Sequence, residues 1–160
     1  MHAELLVHAR APEVFSIYLD PHYWNLHFNS IRQAYFDRSL APGARGSVEI
    51  AGAGRWRTRV ANLYDDSELV IRLRRLAFTL TFRLRIRRVN SELQRVSHTL
   101  IAGPLSIPFF LLYHRSINEW LTLSLYIVQA HAHKLRQERT TRRQSGKVSR
   151  RGKQRKQPQA

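Results

Sequence analysis

The sequence contains no cysteine and a single methionine. Disulfides, cysteine-based zinc sites and thiolate nucleophiles are therefore excluded. Acidic residues are scarce: 11 Asp and Glu stand against 27 Lys and Arg, a formal net charge of +16 over 160 residues. Long apolar runs are missing too. The nearest to the ~18 uncharged residues of a membrane span is Leu105 to Ala130, and His114, Arg115, Asn118 and Glu119 interrupt it. The opening Met1-His2-Ala3-Glu4 has no basic n-region, and Glu4, His8 and Arg10 break the apolar stretch, so no signal peptide is expected. These absences together predict a cytoplasmic protein.

What is present suffices for a core. The chain is 43% hydrophobic and 10% aromatic, and its length fits one domain plus an appendage. A domain of ~135 residues buries roughly two-thirds of its unfolded surface. The positive charge is uneven. From Arg136 to Ala160 ten Lys or Arg residues meet one acid, Glu138. Past Arg139 apolar residues almost vanish, and nothing there can offset the entropy of ordering. The reading is a domain over 1–138 and a disordered basic tail over 139–160.

Within the domain, His2–Ala9 reads as a strand, and Ala11-Pro12-Glu13 starts a short helix with Pro in its first turn and an acid beside it. Asp20-Pro21 stops that helix, and a second short one runs to about Phe28. Strands follow at Ile31–Asp37 and Gly46–Ile50. Then the sequence alternates for most of the next 50 residues. Trp56, Thr58 and Val60 oppose Arg55, Arg57 and Arg59; Leu69, Ile71 and Leu73 oppose Val70, Arg72 and Arg74; Phe78, Leu80, Phe82, Leu84 and Ile86 oppose Thr79, Thr81, Arg83, Arg85 and Arg87. Period two over this length means antiparallel strands with one buried and one wet face. Leu93–Ile101 is a last strand, with Val96, His98 and Leu100 on one side. One long helix is predicted from Ile107 to Arg136, apolar around most of its circumference and therefore largely buried. Seven antiparallel strands and a single long helix predict an α+β fold, a curved sheet wrapped on that helix. A curved sheet cannot touch the helix across its whole width, so a cavity is expected between them.

The segments "LLVHARAPEVFSIYLDPHYWNLHF", "GARGSVEI" and "LQRVSHTLIAGP", followed by the long helix, resemble the SRPBCC superfamily. That superfamily includes START domains, polyketide cyclase/dehydrase-like proteins and pollen-allergen-type carriers. The resemblance covers about residues 2–137. It implies a helix-grip fold with two short helices after the first strand. It also implies an internal pocket for lipids, polyketides or other apolar small molecules.

The expected wall of that pocket is Trp56, Thr58, Phe78, Leu80, Phe82, Leu84, Val96, His98, Leu100, Tyr113, Ile117 and Trp120, with Asn62 and Tyr35 as further hydrogen-bonding groups. His98 is the ionisable side chain placed on the inward face. It is a candidate acid/base for a cyclase or aromatase, although no acid faces it to complete a triad. A non-enzymatic carrier of an apolar molecule is the preferred function. Arg55, Arg57, Arg59, Arg72, Arg74, Arg83, Arg85 and Arg87 share the outward face, which with the basic tail could bind phosphates of nucleic acid or an anionic membrane. His131 and His133, two apart on a helix, point in different directions and cannot clasp one metal ion. Ala51-Gly52-Ala53-Gly54 lacks the Lys-Ser/Thr and the helix of a phosphate loop. No cofactor is expected, and the sequence leaves the oligomeric state open.

Overall fold

The computed structural model describes the backbone of residues 1–21, 24–28, 30–64, 66–112 and 114–154, with the side chains of those residues other than 27, 109, 140 and 142–154. The elements follow the expected order. β1 (His2–Val7) leads to α1 (Ala11–Leu19) and α2 (Trp24–His27). Six strands come next: β2 (Ile31–Phe36), β3 (Arg45–Ile50), β4 (Gly54–Tyr64), β5 (Glu68–Arg75), β6 (Phe78–Arg88) and β7 (Gln94–Ala102). A 3-10 turn, Pro104–Ser106, connects to α3 (Ile107–Leu112) and α4 (His114–Gln154). All seven strands form one antiparallel sheet in the order β1-β7-β6-β5-β4-β3-β2. The first strand thus closes onto the last.

Local chemistry explains the first helix. Pro12 suits its first turn, and the Glu13 carboxylate reaches back to the Arg10 N–H at 2.9 Å. Val14, Phe15, Ile17 and Tyr18 are the buried stripe. The central strands follow the alternation. Leu69, Ile71 and Leu73 face inward beside Leu84, Phe82 and Leu80 in register.

Three features of the molecule differ from what its sequence predicts. The expected single helix from Ile107 is two, α3 and α4, and α4 extends in backbone to Gln154 rather than ending at Arg136. Arg, Gln, Lys and Thr propagate a helix already nucleated, with no proline between Pro108 and Pro158. Arg139 lies past the expected end, yet its guanidinium donates to Glu13 on α1 at 2.6 Å. The expectation that the helix is largely buried also fails. Leu121, Ser124, Leu125, Val128 and Ala132 are buried, whereas Leu123 and Tyr126 are exposed. One stripe suffices because the helix packs on one layer only.

The third difference concerns β4. Its register shifts between Val60 and Asn62, a β-bulge at Ala61. One extra residue flips everything after it to the opposite face. Asn62 pairs with Val70 and points outward, while Leu63 pairs with Leu69 and points in. Tyr35 is outward as well, paired with Ser47 and exposed. Neither can serve the interior. No helix among the described residues is long and apolar enough to cross a membrane.

Candidate functional site

The body of α4 lies over β1 and β7 and against α1. The inner face of β3, β4 and β5 is left without a helix along its length. A cavity of about 290 Å³ occupies that space. Its floor is Val48 and Ile50 of β3, Trp56 of β4, Leu69, Ile71 and Leu73 of β5, Leu80 and Phe82 of β6 and Leu100 of β7. Tyr18, Trp24 and Phe28, together with Ser116, Ile117 and Trp120 of α4, close it over. Among the lining residues Ala51 and Ser116 are exposed, so the cavity reaches solvent beside the β3–β4 turn and the start of α4.

Phe28 is the hub of the aromatic wall. Its ring centroid lies 6.0 Å from those of Tyr18 and Trp120, 6.1 Å from Phe82 and 6.3 Å from Trp24, all tilted or edge-on. The polar atoms of the wall are largely spent. Trp24 Nε1 donates to the Tyr18 carbonyl at 3.1 Å, and Trp56 Nε1 donates to the Ala53 carbonyl at 3.2 Å. Trp120 Nε1 differs: it is buried with no hydrogen-bond partner among the described residues.

Of the expected wall, Trp56, Leu80, Phe82, Leu100, Ile117 and Trp120 line the cavity. Thr58, Leu84 and Val96 are buried on the inner face but not at the cavity. Leu84 and Val96 lie on the β6–β7 side, which α4 and α1 cover. Phe78 sits at the β5–β6 turn and is exposed. Tyr113 lies outside the described residues. Tyr18, Trp24, Phe28, Val48, Ile50 and the inward residues of β5 were missed. The alternation of β5 was the available signal, since its inward residues sit in register between those of β4 and β6.

His98 points inward as expected but does not line the cavity. It is fully buried between α1 and α4. Nε2 lies 2.7 Å from the Tyr18 hydroxyl and Nδ1 lies 2.9 Å from Ser124 Oγ. Ser124 donates its one proton to the Leu121 carbonyl at 2.8 Å. Ser124 must therefore accept from Nδ1–H, and Nε2 must accept from the Tyr18 O–H. The relay is complete, and His98 has no nitrogen left for a ligand. Burial pushes its pKa down to about 3, with the Leu121 carbonyl pulling weakly the other way. Burial also pushes the Tyr18 phenol well above its ordinary range.

The outward arginines meet across strands. Arg59 stands between Arg45 and Arg72, and Arg57 opposes Arg74. Directly opposed like charges destabilise a sheet. Glu68 relieves the far part of this face, with Arg83 at 3.1 Å and Arg85 at 3.2 Å. Arg55 opposes Glu49, and Arg87 opposes Arg95.

No family model and no curated protein matches this sequence. Solved structures do match. A START superfamily protein from Mycobacterium smegmatis superposes with a TM-score of 0.62 at 16% identity, over 84% of this chain and 97% of that one. The di-domain ARO/CYC StfQ from the steffimycin biosynthetic pathway gives 0.65 at 10% identity, over 84% of this chain and 50% of that one. This chain is the START-like helix-grip fold. Ginseng major latex-like protein 151 from Panax ginseng shares the same architecture, with a TM-score of 0.57 at 11% identity, over 82% of this chain and 95% of that one. The chain thus spans half the length of the di-domain protein and nearly all of the other two. At these identities the likeness is one of fold.

Proposed function

We propose that this START-like domain binds one apolar small molecule in the cavity between β3–β6, α2 and the start of α4, as a binding or transfer module. The observation that carries the reading is the cavity itself, walled almost wholly by aliphatic and aromatic side chains. Burial of a ligand's apolar surface would drive binding, at about 25 cal/mol per Å² before the costs of association. Apolar pockets fix orientation with a few polar groups. The unpartnered Trp120 Nε1 suits that role, and it selects a ligand bearing a carbonyl or ether oxygen. The closed relay at His98 supports a binding module over an acid–base enzyme, because proton transfer to a ligand would require breaking it.

Two fluorescent probes test this reading. Pyrene is a pure hydrocarbon; 6-propionyl-2-dimethylaminonaphthalene carries a ketone. Both should bind the full chain. Trp120→Phe should weaken the ketone probe roughly three- to tenfold, the worth of one hydrogen bond, and leave pyrene unchanged. Equal effects on both probes would remove Trp120 as the orienting donor.

A further inference from the structure

The sheet end at which the cavity reaches solvent has an unusual surface. It is formed by the β3–β4 turn, the Leu76-Ala77 turn between β5 and β6, and the segment from Gly103 through α3. The last two are pinned together. Gly103 N–H donates to the Thr79 carbonyl at 2.8 Å, and Ser106 Oγ accepts from Thr79 N–H and donates to its carbonyl, both at 2.9 Å. On this end Leu76 is 83% exposed, Leu112 76% and Leu111 68%, with Leu105, Ile107 and Phe78 exposed beside them. Residues 51–57, 73–79 and 101–116 contain no Asp or Glu, yet they carry Arg55, Arg57, Arg74, Arg75 and Arg115.

Leu76 is the telling residue. Its φ is +53°, a conformation that glycine adopts without strain and leucine does not. Folding gains neither burial nor backbone comfort from leucine at this place. An apolar group held out on a strained turn, at the same sheet end as other exposed leucines and among five arginines of which Arg55 opposes Glu49 and Arg115 pairs with Glu119, matches a surface that is apolar inside and anionic at its face.

We propose that this end docks on a bilayer containing anionic phospholipids. Leu76, Leu111 and Leu112 enter the acyl region, and the arginines meet the headgroup phosphates. The inference rests on the reading of the cavity as a site for an apolar molecule, since docking sets the cavity mouth against the membrane and lets the molecule pass without crossing water.

The test is co-sedimentation of the full chain with vesicles of phosphatidylcholine, alone or mixed with phosphatidylglycerol. The chain should bind the mixed vesicles more tightly, and the preference should shrink as salt rises. Leu76→Gly combined with Leu112→Ser should weaken binding by roughly tenfold or more, from the lost apolar burial. The glycine suits the positive φ, so circular dichroism and thermal unfolding should show an intact fold. The basic tail is the same in both proteins and cannot produce the difference. Equal binding by the pair variant, or no binding to mixed vesicles at low salt, would overturn the proposal. So would a concentration-dependent dimer that the pair variant converts to monomer without any vesicle binding, because a second copy would then cover this end. Pyrene titration without vesicles reads the cavity separately: retained pyrene binding with no vesicle binding sinks the docking proposal alone.

Discussion

Lowering the pH from 7 to 4 should destabilise the fold through one group, His98. An exposed histidine in the unfolded chain takes up a proton near pH 6.5, while the buried His98 resists it down to about 3. Between those values the unfolded state holds the extra proton, so stability is complete above pH 6.5 and is lost as the pH falls. The loss approaches 1.4 kcal/mol per pH unit and reaches about 3 kcal/mol by pH 4. That is a large share of the ~5–15 kcal/mol that holds a domain folded. The control is Tyr18→Phe combined with His98→Leu. It removes both partners of the relay, leaving Ser124 on the Leu121 carbonyl, and leaves no new orphaned polar atom in the core. Urea unfolding followed by tryptophan fluorescence at pH 4, 5, 6 and 7 gives stability for both proteins. Every other ionisable group except Tyr18 is common to both proteins, so the difference in slope isolates His98. Glu13 is among these shared groups: burial raises its pKa, but the Arg10 N–H and the Arg139 guanidinium outweigh burial and hold it below its ordinary value, so its contribution falls away below the ordinary carboxylate range, in the lower part of the His98 window, equally in both proteins. Parallel pH dependences in the two proteins would refute the buried neutral relay.

Two further outcomes follow from the packing. Gly46→Ala should cost at least about 2 kcal/mol, because a Cβ there would stand 1.9 Å from the Tyr35 carbonyl oxygen and close to the Phe36 backbone; an unchanged midpoint in thermal unfolding would contradict the β2–β3 register. Truncation after Thr141 should leave urea stability within about 0.5 kcal/mol, since between Thr141 and Pro158 the sequence offers a single aliphatic side chain, Val148, to bury; a larger loss would show that the basic tail belongs to the folded domain.

Much of this fold was legible because period-two alternation is a strong signal. The inward sets of β4, β5 and β6 were readable up to Val60, and the order of elements predicted the sheet and its C-terminal helix. The run Ala61-Asn62-Leu63-Tyr64 was not readable. It contains no contrast that fixes its register, and the bulge turned Asn62 outward. The position of the cavity was also hidden. It depends on α4 lying to the β1–β7 side, so Leu84 and Val96 became core while Ile71 and Leu73 became wall. His98 was correctly placed inward. Its partners were invisible because Tyr18 and Ser124 come from helices distant in sequence. Without them an inward histidine resembles a catalytic one. The exposed leucines of α3 were masked by the same apolar richness that made the C-terminal helix look buried.

The central claim is that the space beside β5 is a binding site rather than a packing gap. Filling it tests this most directly. Leu73 lines the cavity near its mouth and pairs with Leu80 across β5 and β6. Leu73→Trp should place a ring in the empty volume, leaving the chain at least as stable as the wild type. Pyrene titrated into the two proteins should bind the wild type and lose most of its affinity for the folded variant. Pyrene that binds both equally, or neither, would contradict a ligand-binding cavity at this place.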